Sequence, residues 1–146
     1  MTKVYFYHGA QDRLQAAAAW LAQAHARRQA VLIYAPDEVL ADRLDRLLWT
    51  TPATAFLPHC RADAPLAAET PLLISANLDT LPQEDRLLNL SDEVPPGFSR
   101  FSELIEIVSD AGEDRLPARE RFKFYRDRGY EMANEKFAQE PLLNPP

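Results

Sequence analysis

Residues 30–34 read Ala30-Val-Leu-Ile-Tyr34, a continuous apolar run between polar segments. Such a run, without alternating polar residues, is typical of a strand that is covered on both faces in a parallel sheet. The alanine-rich residues 11–28 precede it, and their composition and the helical spacing of their larger apolar residues favour a helix. In front of them, Lys3-Val-Tyr-Phe-Tyr7 has the β-branched and aromatic character of another strand. The chain therefore opens with a predicted strand–helix–strand unit.

The rest of the chain continues this alternation. Pro36 suits the first position of a second helix, which leucines at helical spacing extend to Trp49. Further segments predict strands at residues 72–75, 86–90 and 104–108, a helical turn at 98–101, and a final helix at 113–128 ended by Gly129. Pro117 is expected either to kink this last helix or to mark its true start. We predict one α/β domain, a three-layer Rossmann-like sandwich around a largely parallel central sheet.

Composition excludes several classes of protein. The 146 residues are 47% hydrophobic, which is enough for one folded domain and excludes general disorder. No apolar run approaches the ~20 residues of a membrane span, and no secretory signal is recognisable, so we expect no membrane association. Cys60 is the single cysteine and cannot form an internal disulfide, which favours the reducing cytoplasm.

Residues with catalytic potential are few. His59 and Cys60 are adjacent, so their side chains point apart on an extended backbone, and no second cysteine is present to complete a zinc site. A nucleophilic pair of Cys60 with His8 is not constrained by spacing. The turn after the first strand, His8-Gly9-Ala10-Gln11, lacks the further glycines of a phosphate-binding loop. We therefore predict no catalytic, cofactor-binding or metal-binding residues.

Charge is distributed unevenly along the chain. Residues 115–128 contain six basic and two acidic residues, a net charge of +4, so that the remainder of this −6 chain carries −10. An acidic body repels a long nucleic-acid track, whereas a local basic segment suits a small acidic partner.

A helical wheel places most of these basic side chains on one face. If the helix continues through Pro117, an arc of about 100° holds what we call the basic arc: Arg115, Arg119, Phe122, Lys123 and Arg126. Cations around an aromatic ring suit an acidic peptide with an apolar anchor, because arginine binds carboxylates through two hydrogen bonds. Spacing alone favours the alternative that Phe122 and Tyr125 pack on the sheet while the basic side chains extend into solvent. Phe124 lies apart from both on the wheel, which predicts that at least one of these rings is partly exposed.

A second cluster surrounds the end of the second predicted helix. Trp49 ends this helix, and the following loop contains Phe56 in the segment Phe56-Leu-Pro-His59. A tryptophan at a helix end with a nearby phenylalanine is typical of an interface hot spot. The same pattern equally fits two rings that cover the core.

Both clusters resemble a known family. The segment Arg43-Leu-Asp-Arg-Leu-Leu-Trp49, followed by Pro52 and Phe56-Leu-Pro-His59, resembles the chi subunit of bacterial DNA polymerase III. The segment Ala118-Arg-Glu-Arg-Phe-Lys-Phe-Tyr-Arg126 with Gly129-Tyr130 is similar to the same family, as is the opening strand. The resemblance spans roughly residues 1–131 in matching order, and these signatures are specific in combination.

This resemblance implies a non-catalytic function in DNA replication. Members of the family are accessory subunits of the clamp-loader assembly in the DNA polymerase III holoenzyme, with a nucleotide-binding type of fold that uses no nucleotide. They bridge the psi subunit to the acidic C-terminal tail of single-stranded-DNA-binding protein, so that single-stranded DNA is engaged indirectly. The implied tail-binding residues are those of the basic arc, with Phe122 where a tyrosine is familiar. The implied psi-binding face surrounds Trp49 and Phe56.

The resemblance also implies a domain at residues 1–135, a loose tail at 136–146, and a cytoplasmic location at replication forks on the nucleoid. Residues 60–70 and the tail after Lys136 have no recognisable counterpart in this resemblance. Without a psi partner, the Trp49 and Phe56 face would be available to another partner such as a helicase. Two other classes of function remain: direct nucleic-acid binding through residues 115–128, and a nucleotide-using enzyme with its site near His8-Gly9.

Overall fold

A computed structural model describes residues 1–50, 57–64, 70–79 and 83–137, which form seven strands and three helices. The strands are β1 (Lys3–Ala10), β2 (Val31–Tyr34), β3 (His59–Arg61), β4 (Leu72–Ser75), β5 (Arg86–Asn89), β6 (Glu103–Ser109) and β7 (Glu131–Lys136). The helices are α1 (Arg13–Ala26), α2 (Glu38–Thr50) and α3 (Gly112–Asp127), and one 3-10 turn covers Phe98–Arg100. Within these ranges, no helix has the length and apolar character needed to cross a membrane.

All seven strands lie in one parallel sheet with the order β3-β4-β2-β5-β6-β1-β7. Strand β1 lies between the two strands that come last in the chain, so that Lys3 is opposite both Glu103 and Glu131. The prediction of an α/β sandwich is confirmed, and the sheet is entirely rather than largely parallel.

The helices cover both faces of the sheet. Helices α1 and α2 pack on one face, where Leu21 and Leu44 join Ile33 in a buried cluster. Helix α3 packs on the other face, where Tyr125 joins Phe6. Strands with two covered faces need apolar side chains at consecutive positions, which explains the continuous apolar runs in the sequence.

Local signals set the ends of helix α1. Asp12 caps its start, because its carboxylate accepts a 2.9 Å hydrogen bond from the Gln15 N–H. Its consecutive alanines at 16–19 are all buried, so small side chains bring the helix close to its neighbours. After its end, Arg28 adopts a left-handed conformation with φ 58°. Glycine is the usual residue for this conformation, and an L side chain there costs about 1 kcal/mol.

Helix α3 continues through Pro117. Because the helix begins at Gly112, Pro117 is its sixth residue, and the alternative that the helix starts near this proline was wrong. Gly129 follows the helix with φ 79°, as its predicted role as a stop signal requires. Arg115 is therefore helical and shares a surface with the rest of the basic arc.

Two edge strands were not predicted. Strand β3 has three residues, and β7 consists mostly of exposed polar side chains, so neither carries the apolar run of a central strand. Beyond β7, the Phe137 N–H donates to the His8 carbonyl at 2.7 Å. Residues 138–146, most of the predicted tail, lie outside the described residues.

Candidate functional site

The parallel sheet forms a crevice at its carboxyl edge. Helix α1 leaves β1 toward β2 on one face, whereas α3 leaves β6 toward β7 on the other, so the winding direction changes between β1 and β6. In open α/β sheets, this switch point is where nucleotides bind. A cavity of about 430 Å³ lies there, lined by the segments that follow β1, β2, β5 and β6.

Carboxylates dominate this crevice. Six acidic residues line it: Asp12, Asp37, Asp92, Glu93, Glu113 and Asp114. Two of them already occupy helix N-termini, since Asp12 accepts from the Gln15 N–H and Asp37 accepts from the Val39 N–H, each at 2.9 Å. A nucleotide phosphate needs free N–H groups and positive potential at a helix start. The crevice therefore has the wrong charge for a nucleotide.

Arg13, the first residue of α1, is committed to the fold at this crevice. Its guanidinium donates to the carbonyl oxygens of Ile107 at 3.0 Å, Asn89 at 3.1 Å and Ser91 at 3.0 Å. Burial lowers the pKa of Arg13, and the negative charge of nearby Glu106 opposes that shift. Arg13 thus holds the ends of β5 and β6 to α1.

A buried carboxylate fixes helix α3 to the sheet. Glu106 of β6 is 0% exposed. It accepts hydrogen bonds from Arg121 Nε at 3.2 Å, the Tyr125 hydroxyl at 2.7 Å and Asn89 Nδ2 at 3.0 Å. Burial, reinforced by Glu106, raises the pKa of Tyr125 far above its usual value, so this hydroxyl remains a donor. Two residues one turn apart on α3 therefore share one buried acceptor.

Arg121 is the residue that the charge count misplaced. The sequence analysis included it in a basic segment of +4, but its side chain is internal and pairs with Glu106. The solvent-facing charge of residues 115–128 is accordingly +3. A signal existed in the sequence, because Glu106 interrupts the apolar strand Leu104–Val108 and a buried acid needs a buried partner.

The opposite side of α3 presents the basic arc to solvent. Arg115, Arg119 and Lys123 are exposed, and none of the three forms an ion pair or side-chain hydrogen bond with another described residue. Arg126 is also exposed, but its guanidinium lies 3.3 Å from the carboxylate of Asp127. The structure therefore brings the predicted cations together on one surface, and three of them have no ion-pair partner within the described part of the chain.

Phe122 lies at the margin of this surface. Its half-buried ring meets Phe6 edge-on, with the ring centroids 5.2 Å apart. Tyr125 is buried, whereas Phe124 is half-buried, with the Arg128 guanidinium carbon 3.7 Å from its ring centroid. The expectation that at least one ring is partly exposed is confirmed. Phe122 contacts the sheet and keeps an accessible part beside the cations.

Trp49 is an exposed aromatic residue near the end of helix α2, which covers the face of the sheet opposite to α3. It is 57% exposed, and its ring centroid lies 4.6 Å from that of His59. His59 is buried and held by the Leu57 carbonyl, 2.7 Å from its Nδ1 atom. Of the two alternatives drawn from the sequence, Trp49 fits the interface better than the core. Phe56, the other predicted residue of this face, lies outside the described residues.

The possible catalytic pair does not form. His8 is in β1 and Cys60 is in β3, and four strands separate these two in the sheet. Strands are spaced about 4.8 Å apart, so the two residues lie roughly 24 Å from each other. Among the residues with described positions, no group of three His, Cys, Asp or Glu side chains is arranged to hold a metal ion.

Fold and surfaces together define a class of protein. It is a doubly wound parallel α/β domain whose switch-point crevice is acidic and which presents exposed cations on a surface helix. Comparison with known proteins then gives the family, since residues 1–133 match the sequence model of the DNA polymerase III chi subunit, HolC. The chain belongs to the DNA polymerase III chi subunit family.

Three relatives are named DNA polymerase III subunit chi. The one from Pseudomonas aeruginosa is 31% identical over 140 residues, covering 93% of this chain and 97% of the relative. The one from Escherichia coli is 32% identical over 108 residues, or 70% of each chain. The one from Haemophilus influenzae is 31% identical over 106 residues, covering 72% of this chain and 74% of the relative. The resemblance inferred from the sequence motifs is therefore confirmed.

Proposed function

We propose that this chi-family chain is a non-catalytic accessory subunit that couples the DNA polymerase III assembly to DNA-bound protein. In this function it bridges the psi subunit of the clamp loader to the acidic C-terminal tail of single-stranded-DNA-binding protein. The observation that carries the proposal is the group of three unneutralised cations, Arg115, Arg119 and Lys123, on the helix surface that Phe122 borders.

The chemistry of this surface suits a peptide that ends in an aromatic residue and a free carboxylate. The Arg119 guanidinium can bind that carboxylate with two hydrogen bonds, and Lys123, one turn further along, adds a second positive charge. The accessible part of Phe122, whose ring packs against the buried Phe6, supplies an apolar wall for the terminal ring. Several tails on one DNA-bound oligomer raise the local concentration of peptide, so a modest affinity for each tail is sufficient.

The second partner is proposed to bind at the Trp49 face. Trp49 is an exposed aromatic residue on α2, whereas the basic arc lies on α3, and these two helices cover opposite faces of the sheet. Both partners can therefore bind at once. In an organism without a psi subunit, the Trp49 face would serve another partner such as a helicase. Either assembly would place the protein at replication forks in the cytoplasm.

Direct binding of nucleic acid is the second candidate. The surface charge of +3 on α3 favours it, but the remainder of the chain carries −10 and would repel a phosphate backbone beyond the helix. Fluorescence anisotropy with a labelled single-stranded oligonucleotide at low salt tests this candidate. We expect no binding without single-stranded-DNA-binding protein.

Titration with a tail peptide tests the proposal. The peptide carries the last ten residues of single-stranded-DNA-binding protein, and a second peptide lacks only the terminal aromatic residue. We expect the full peptide alone to bind, and Arg119→Ala to weaken it at least tenfold, or about 1.4 kcal/mol. Arg46→Ala, at an exposed arginine of α2, is the matched control and should bind as the wild type does. Equal affinity of Arg119→Ala and wild type would remove the proposed site.

The psi interface needs its own experiment. Trp49→Ala should abolish or strongly weaken co-purification with the psi subunit and leave the affinity for the tail peptide unchanged. A variant that loses both interactions together would indicate misfolding or a single shared surface, and would contradict the bridging proposal.

A further inference from the structure

One exposed apolar side chain on helix α3 is not used by the contacts proposed above. Leu116 is 64% exposed, although α3 is otherwise polar on its outer surface. Isolated surface leucines are common and need no explanation by themselves. The position of Leu116 relative to the basic arc gives it significance.

Leu116, Arg119 and Phe122 form one continuous ridge on the helix. They are spaced by three residues, so each is displaced from the next by about 4.5 Å along the helix axis and about 60° around it. Side chains at this spacing are direct neighbours on a helix surface. The ridge therefore presents an apolar residue, a cation and an aromatic residue in that order.

An acidic row borders the ridge on the side of Leu116. Glu113, Glu120 and Asp127 are exposed and are spaced by seven residues, which aligns them along the helix. On the helical wheel, Leu116 lies between this row and Lys123. An acidic peptide is repelled by the row and attracted by the arc, so charge confines it to the ridge and to the arc beside it.

We infer that Leu116 is a second apolar contact for the acidic peptide, and that it selects tails with an apolar residue about four positions before the terminal aromatic residue. This inference rests on the proposed function of the basic arc. Leu116 and Phe122 are separated by about 9 Å along the axis and about 120° around it, which together make a path of about 13 Å at the radius of the side chains. An extended peptide advances about 3.3 Å per residue and needs about four residues to cover this path. A peptide whose last ring lies at Phe122 and whose carboxylate lies at Arg119 thus places an upstream side chain over Leu116.

A double-mutant cycle tests this contact. The tail peptide is compared with a peptide in which every apolar residue three to five positions before the end is replaced by serine, and each is titrated into wild type and Leu116→Ser. We expect Leu116→Ser to weaken the native peptide about three- to tenfold, as burial of one or two methylene groups would. The serine-substituted peptide should bind both proteins with the same, lower affinity, because its partner side chain is absent.

Val39→Ser is the matched control. Val39 is an apolar residue of α2 that is 68% exposed, and its replacement should change neither the affinity for the tail peptide nor the thermal unfolding midpoint. Leu116→Ser should also keep its unfolding midpoint, since the side chain is largely in solvent. If wild type binds the native peptide and Leu116→Ser binds it equally well, the inference is wrong and the proposed function stands. If wild type does not bind the native peptide, both fail.

Discussion

Arg121 and Glu106 form an ion pair in the interior, with Arg121 Nε 3.2 Å from the carboxylate and the two side chains 3% and 0% exposed. Arg119, two residues earlier on the same helix, is exposed and unpaired among the described residues. One helix therefore uses arginine for two purposes, and the buried pair determines which side of α3 faces outward.

Removal of one partner of this pair should destabilise the protein strongly. Arg121→Met leaves the Glu106 carboxylate buried without its closest cation, and breaking a buried pair in this way costs about 3 kcal/mol or more. The free energy of unfolding in urea measures this loss. Arg119→Met is the matched control on the same helix and should change the value by less than about 0.5 kcal/mol. Similar losses in both variants would show that the pair contributes nothing specific.

Tyr125 should make stability depend on alkaline pH. The folded protein keeps the Tyr125 proton, because burial and Glu106 raise its pKa, whereas the unfolded chain loses that proton above about pH 10. Unfolding then releases a proton, so this residue lowers the free energy of unfolding by about 1.4 kcal/mol between pH 9 and pH 11.

Tyr125→Phe lacks this dependence and isolates it. At pH 7 the variant loses the hydrogen bond to Glu106 and should be less stable than wild type by about 2 kcal/mol. High pH destabilises wild type but not the variant through this residue. The difference in free energy of unfolding between the two proteins should therefore narrow to less than about 1 kcal/mol at pH 11. Urea unfolding at several pH values gives both curves. A constant difference across this range would contradict the prediction.

Pro117 should limit the stability of α3. It is an interior position of the helix, and proline there cannot donate the backbone hydrogen bond that alanine would. Alanine is favoured over proline by about 3 kcal/mol in the interior of a helix. Proline also restricts the unfolded chain, and the loss of this restriction destabilises the alanine variant by about 1 kcal/mol. Pro117→Ala should therefore raise the free energy of unfolding by about 1–2 kcal/mol in urea titrations. The affinity of Pro117→Ala for the tail peptide should not change, since the helix is already continuous in wild type. A lower free energy of unfolding for Pro117→Ala would contradict the prediction and show that the proline ring is needed for packing.

Arg13 should be required for its geometry as well as its charge. Arg13→Lys keeps a cation at the crevice but cannot reach three carbonyl oxygens from one planar group, so we expect a loss of about 2 kcal/mol. Arg46→Lys, at an exposed position of α2, should be neutral in the same urea titration.

Neither wild type nor Arg13→Lys should gain thermal stability from ATP or NAD, because the acidic lining of the crevice remains. Stabilisation of wild type by either nucleotide would contradict this prediction and support the alternative that the protein is a nucleotide-using enzyme.

The central part of the fold could be predicted because burial on both faces leaves a strong pattern. Residues 31–34 and 72–74 are apolar without interruption, and the strands that contain them lie within one residue of the predicted bounds. The edge strands β3 and β7 carry no such pattern, since an edge strand with polar side chains resembles a loop. They are recognised as strands only because β3 pairs with β4 and β7 pairs with β1, and this pairing exists only in the folded sheet.

The candidate site was partly predictable for a similar reason. Helical periodicity alone grouped Arg115, Arg119 and Lys123, and the structure confirms that they share an exposed surface. Periodicity placed Arg121 outside the basic arc but could not show that its side chain is buried, because its environment depends on Glu106 in a strand that precedes the helix. The acidic crevice was equally hidden, since its carboxylates come from loops and a helix start that follow four different strands.

The position of β1 in the sheet has a consequence for synthesis of the chain. Both neighbours of β1 come from the C-terminal third, and Lys3 is opposite Glu103 and Glu131. At ribosomal rates of about 5–20 residues per second, β6, the first strand that can pair with β1, emerges roughly 5–20 s after β1. During that time the Tyr-Phe-Tyr segment of β1 has no native strand to pair with and is open to chaperones. The nascent protein therefore completes its sheet only after β7 has emerged, and products truncated before β6 retain an unpaired aromatic strand.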